Sequence, residues 1–209
     1  MTEGRFISLE GGEGTGKSTQ ARALAAAMES RGQVVTLTRE PGGTPGAETI
    51  RELLLSGGED KWHMRTEALL FAAARAEHCV KLIGPRLARG EWVICDRFID
   101  SSRAYQSVSG VLSDAEIMDL HRVGSKGLMP HRTFVLDLPE AVASKRAAAR
   151  DRGNSDRIGR RDSDYHQSVL ANFRQLAADE PDRIRLVDAS QNPESITEIL
   201  LQNLGDLLS

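Results

Sequence analysis

The densest chemistry in the chain lies in LEGGEGTGKST, residues 9–19. Residues 11–18 fit the spacing G-x-x-x-x-G-K-[ST], with a short apolar run before them and a helical apolar pattern, Ala21, Leu24, Ala25 and Met28, after them. That context is the one in which the spacing cradles phosphates. Gly11, Gly12, Gly14 and Gly16 let backbone N–H groups turn inward, and Thr15 and Thr19 complete the loop and the first helical turn. Lys17 supplies a point charge between phosphate oxygens, and the Ser18 hydroxyl is a ligand for magnesium. Glu13 is the oddity, a carboxylate in a turn built for anions.

Three further constellations favour a kinase over a switch protein. Asp96 and Arg97 close an apolar run in CDRFIDSSRAYQ, where ligands sit in open α/β sheets. There Asp96 suits the magnesium shell, and Arg97 suits a two-pronged contact with a phosphate. Arg39 follows another apolar run beside a Pro-Gly-Gly turn in TREPGGTPG. In LLFAAARAEH, Phe71 and Arg75 fall on one helical face with His78 a turn further, and the alanines between leave room for a flat ring. The [NT]-K-x-D guanine reader of GTPases does not follow either candidate lysine. The extra loop lysine of partitioning ATPases is replaced by Glu10-Gly11-Gly12.

These residues need a scaffold that brings several strand ends together. Short β-branched runs at residues 6–9, 34–37, 92–95, 133–136 and 184–187 alternate with helical patterns at 17–30, 47–56, 64–89, 114–123, 140–150, 163–178 and 193–208. Such alternation predicts an α/β fold, a five-stranded parallel sheet flanked by helices. Ser113 and Glu116 resemble a capping box, and Gly32 and Gly90 mark helix stops. The 209 residues suffice for one domain. The charged segment at 146–164, interrupted by Gly153, Asn154 and Gly159, is the candidate mobile element, a short lid at about 149–161. A net charge of −3 argues against bulk nucleic-acid binding. Cys79 and Cys95 lie in apolar stretches without CxxC spacing, as buried thiols of a reducing compartment do. With no signal-like or membrane-spanning run, a cytoplasmic protein is expected.

Taken in order, FISLEGGEGTGKST, TREPGGTPG, LLFAAARAEH, DRFIDSSRAYQ and SDRIG resemble the thymidylate kinase family over nearly the full length. The resemblance implies a nucleoside monophosphate kinase fold, ATP and dTMP as substrates, Mg2+ as cofactor and a homodimer through the helix at 64–89. It places ATP at Gly11, Gly12, Glu13, Gly14, Thr15, Gly16, Lys17, Ser18 and Thr19, with Ser18 and Asp96 toward the metal. Phe71 is expected to stack on thymine and Arg75 to donate to its O4, which rejects cytosine by facing a donor with a donor. Ser102 is expected at another base edge, Tyr105 against the ribose 2′ position, Arg39 and Arg97 at the acceptor phosphate, and Glu13 at the 3′-hydroxyl.

An Arg-poor loop beside an Arg-rich lid resembles the bacterial subclass in which the lid supplies the catalytic arginine. The candidates are Arg150, Arg152 and Arg157, with Arg150 and Arg157 favoured beside Lys17 and Arg97. Gly159 departs from the family, whose lid often carries glutamate there. Two alternatives stay open at this point: a kinase with another acceptor, such as dUMP or a deoxynucleoside, and an ATPase switch module.

Overall fold

The computed structural model describes residues 4–108, 110–151 and 156–208, the side chains of Arg150 and Asp151 excepted. In chain order the elements are β1 (Phe6–Glu10), α1 (Lys17–Glu29), β2 (Val35–Arg39), α2 (Pro45–Leu55), α3 (Met64–His78), a π turn (Cys79–Ile83), α4 (Gly84–Leu87), β3 (Trp92–Asp96), α5 (Ile99–Gln106), α6 (Asp114–Ser125), β4 (Arg132–Asp137), α7 (Glu140–Asp151), α8 (Ser163–Asp179), β5 (Ile184–Asp188), α9 (Pro193–Gln202) and α10 (Gly205–Leu208).

The five strands run parallel in the order β2-β3-β1-β4-β5. Period-two alternation divides the core between the two faces. Ile7, Leu9, Ile94, Phe134 and Leu136 pack on one side with Leu24 and Met28 of α1 and with Ile196 and Leu200 of α9. Phe6, Val93 and Cys95 pack on the other with Ala68 of α3, Ile99 of α5 and Ile117 of α6, while Val135 meets Phe173 of α8. Because β1 sends the chain out past β3 to the edge strand β2 and β4 lies on its other side, the carboxyl end of β1 opens a crevice. The register aligns Leu9 with Asp96 and Arg39 with Asp96, so three strand ends reach that crevice level with one another.

Local signals account for several helix starts. Thr44 caps α2 by accepting from the Ala47 N–H with Pro45 at the first position, and Ser113 and Glu116 make the expected capping box on α6. Three elements differ from expectation. α5 is absent from the sequence reading because seven of its eight residues are buried, polar ones included, so no apolar stripe marks it. The long helix expected at 64–89 widens into the π turn before Pro85, which has no N–H for the ladder. The last helix breaks at Asn203–Leu204 into α9 and α10.

Candidate active site

β1, α1 and the turn between them build an anion-binding bowl. Gly16, at φ 94°, starts α1, and its carbonyl accepts the Thr19 N–H at 3.0 Å. Thr15 Oγ1 donates to the Gly12 carbonyl at 3.0 Å and Lys17 Nζ to the same oxygen at 2.5 Å. Burial and, next, the neighbouring Arg97 guanidinium lower the Lys17 pKa to about 7. Ser18 Oγ donates to Asp96 Oδ2 across the gap to β3. Gly14, at φ 72°, has its Cα hard against α7. A Cβ there would lie 2.1 Å from the Ala143 carbonyl oxygen, so no side chain fits at that place in the loop.

One cleft opens from this bowl and is lined by Glu13, Lys17, Ser18, Arg39, Phe71, Arg75, Asp96, Arg97, Ser102 and Tyr105. The acceptor residues expected from the sequence thus stand together on β2, α3, the end of β3 and α5. Arg97 is a non-glycine residue at φ 72°, held there by its N–H to the Leu9 carbonyl at 2.9 Å. Its Nη1 donates to the Gly11 carbonyl at 2.9 Å and Ser101 Oγ at 3.1 Å, and the guanidinium lies 5.1 Å from the Tyr105 ring centre. The Tyr105 hydroxyl is buried and finds no hydrogen-bond partner among the described residues. Arg39 Nη2 reaches both oxygens of Glu48 at 3.0 Å while staying half exposed.

Arg75 is buried at 3% exposure, where an unpaired guanidinium is untenable. Its Nε donates to Glu40 Oε2 at 2.8 Å, and its Nη2 to Ser102 Oγ at 2.9 Å and the Phe98 carbonyl at 3.2 Å. None of these bonds uses Nη1. Glu40 Oε1 lies 3.0 Å from His78 Nδ1, and His78 Nε2 lies 2.8 Å from Thr38 Oγ1, so His78 braces Glu40 from within the core. Phe71 is partly buried beside this group and lines the cleft.

The lid corrects one expectation. Arg157 has no exposed surface and does not face the phosphate loop. Its Nε donates to the Leu54 carbonyl at 2.9 Å, its Nη1 to the Glu59 carbonyl at 3.2 Å and its Nη2 to Glu67, itself fully buried. A guanidinium satisfied in this way by backbone and a buried carboxylate ties the lid to α2 and α3 instead of pointing to a phosphate. Arg152 lies outside the described residues, as does the side chain of Arg150, whose backbone lies in the last turn of α7. Gly159 has a local reason: a Cβ there would sit 2.9 Å from Glu13 Oε2, so the lid turn makes room for the loop carboxylate.

Sequence reasoning missed Glu10, Arg51 and Glu67. Arg51 lines the cleft and donates to the Pro41 carbonyl at 2.7 Å; its place on the helix after the Pro-Gly-Gly turn was the available signal. Glu67 accepts from Arg157, from Arg161 Nη2 at 2.8 Å and from Gln106 Nε2 at 3.2 Å. Glu10 ends β1 with no exposed surface. Its Oε1 accepts the Phe98 N–H at 2.7 Å and its Oε2 the Ser101 hydroxyl at 2.6 Å. Burial first, then the charge of Asp100, raises its pKa to about 8.

The family profile described as Thymidylate kinase matches residues 9–199. A thymidylate kinase of Rhizorhabdus wittichii is 54% identical over 205 residues, covering 98% of this chain and 99% of its own. One from Caulobacter vibrioides is 45% identical over 209 residues, covering 98% of this chain and 100% of its own. The crystal structure of thymidylate kinase from Ehrlichia chaffeensis superposes with a TM-score of 0.76 at 30% identity, covering 97% of this chain and 99% of that one. With a phosphate loop facing a cleft of nucleotide-sized chemistry and relatives of this identity end to end, the chain belongs to the thymidylate kinase family and transfers a phosphoryl group from ATP to dTMP, giving dTDP.

Proposed function

We propose that dTMP occupies the cleft between α3 and α5 while ATP lies along the loop at residues 11–19, and that Arg97 is the contact between the two. The observation that supports this most is the placement of Arg97, whose side chain bonds the Gly11 carbonyl of the donor loop while lying over Tyr105 on the acceptor side. Phe71 stacks on thymine, Arg75 offers Nη1 to O4, and Ser102 holds Arg75 at the angle this requires. Tyr105 crowds the ribose 2′ position, and Glu13 receives the 3′-hydroxyl. Arg39 and Arg97 hold the 5′-phosphate.

An oxygen of that phosphate, already anionic and needing no base, attacks the γ-phosphorus of ATP. The bond from the γ-phosphorus to the bridging oxygen breaks, and ADP leaves with that electron pair. Lys17 and Arg97 balance the charge that moves, joined by a lid arginine, Arg150 or Arg152, the side chain of the first and the whole of the second lying outside the described residues. The Ser18 hydroxyl and the Asp96 carboxylate stand together as oxygen donors, which suits Mg2+, a cation that fills its remaining positions with water and phosphate oxygens. When bound with ATP, the ion neutralises charge on the β- and γ-phosphates.

We place the enzyme in the cytoplasm as a homodimer; among the described residues no helix is long and apolar enough to cross a membrane. Leu69 of α3, Val80 of the π turn and Val123 of α6 are 54%, 63% and 78% exposed on packed neighbouring elements, a surface that suits a second copy.

The test is a panel of monophosphates with ATP and Mg2+, following ADP release. Turnover should be fastest with dTMP, and Phe71→Ala should raise the dTMP KM about tenfold or more. Faster turnover with CMP, UMP or GMP would refute the assignment of the cleft.

A further inference from the structure

A carboxylate at the end of an apolar strand, with no exposed surface, is costly unless its oxygens have work to do. Glu10 does not line the cleft, so it does not touch the acceptor. Its two oxygens instead bracket Arg97. Oε1 accepts the N–H of Phe98, the residue that follows Arg97 and begins α5 without a side-chain cap of its own. When Glu10 is ionised, Oε2 accepts the hydrogen bond of the Ser101 hydroxyl, which turns the Ser101 oxygen toward Arg97 Nη1 as an acceptor. Arg97 is thereby held on its backbone side and through its side chain, in a left-handed conformation unfavourable for a residue with a Cβ.

The charges around Glu10 are Arg97 just after β3, Asp100 on α5 and Lys17 at the start of α1. Asp100 is already committed to Arg103 and Arg183, and Lys17 to the Gly12 carbonyl. Glu10 is therefore the carboxylate that meets both the turn after Arg97 and the serine beneath its guanidinium.

We infer that Glu10 is a positioning residue for the phosphoryl acceptor, fixing through Phe98 and Ser101 the direction in which Arg97 meets the dTMP phosphate. The inference rests on the reading of Arg97 as a ligand of that phosphate. In Glu10→Gln the carbonyl still accepts from Phe98, but the amide becomes a donor toward Ser101 and turns its hydroxyl proton toward Arg97.

The experiment compares Glu10→Gln, Ser101→Ala, their double variant and Arg97→Ala in the full chain at about pH 9, where Glu10 is ionised, measuring kcat, KM for dTMP and for ATP, and the thermal midpoint. Glu10→Gln should raise the dTMP KM about tenfold while the ATP KM changes less than about twofold, and the double variant should be no worse than the worse single one. A dTMP KM unchanged in Glu10→Gln, with a large rise in Arg97→Ala, overturns the positioning role and leaves the Arg97 reading standing. An unchanged dTMP KM in Arg97→Ala overturns both. Equal changes in both KM values, tracking a lower midpoint, would make Glu10 merely structural and also overturn the inference. If Glu10→Gln does not fold, Ser101→Ala decides alone: it must show the same split between the two KM values, and an unchanged dTMP KM refutes the inference.

Discussion

Arg157 and Glu67 form an ion pair in which neither side chain is exposed, joining the lid to α3 across 90 residues of sequence. Removing one member leaves the other charge stranded, and the penalty exceeds the net worth of the pair. Arg157→Ala should destabilise the fold by about 3 kcal/mol, tempered because Arg161 still reaches Glu67. Urea unfolding measures this. The folded fraction should keep kcat within about threefold, whereas Arg150→Ala or Arg152→Ala should lower kcat about 10^3-fold at an unchanged midpoint. A 10^3-fold loss in stable, folded Arg157→Ala would restore Arg157 to the chemistry.

Lys17 makes nucleotide binding a proton-linked event. Its pKa is about 7, against an ordinary lysine value of 10.5, because burial and Arg97 disfavour the ammonium. The folded chain therefore holds fewer protons here than the unfolded chain between pH 7 and 10.5, so this group's contribution to stability improves as pH rises through that window. Phosphate oxygens restore the charge. At pH 8 ATP binding should take up close to one proton, and at pH 6 the uptake by Lys17 should vanish. Calorimetry at pH 8 in two buffers of different ionisation heat reads the uptake directly. Binding heats that do not depend on the buffer would mean that Lys17 is charged before ATP arrives.

Gly159 and Glu13 define a third test. Gly159→Ala places a methyl group where the Glu13 carboxylate now sits, and the flexible acid is the part that yields. With Glu13 displaced from the acceptor sugar, the dTMP KM should rise about fivefold, close to 1 kcal/mol, with ATP KM and thermal midpoint unchanged. Steady-state kinetics with each substrate varied in turn decides it. Equal shifts for both substrates would place Glu13 on the donor side.

The parts of this protein that could be read from sequence are those governed by near neighbours. Strand alternation, the capping box at Ser113 and the glycine spacing before Lys17 all depend on residues a few positions apart, and each has its counterpart in the fold. What escaped depends on partners far along the chain. Glu10 reads in sequence only as an acid where partitioning ATPases carry a loop lysine; its partner Phe98 stands 88 residues on. α5 hid because Asp100, Ser102, Arg103 and Gln106 are polar yet buried, satisfied by groups on other elements. Arg157 was misplaced for the same reason: in sequence, an arginine bound for a buried carboxylate is indistinguishable from one bound for a phosphate.

The contact between Gly14 and α7 makes the phosphate loop a fulcrum. Ala143 and Ala147 rest their backbone on that glycine, and the end of the helix at Asp151 lies eight residues beyond the first contact. At 1.5 Å per residue the lever arm is about 12 Å, so a tilt of about 10° about the glycine would carry the far end of α7 by roughly 2 Å. The turn built for phosphates and the helix that leads to the lid segment thus share one backbone contact. A larger residue at position 14 would part the two before it touched any substrate.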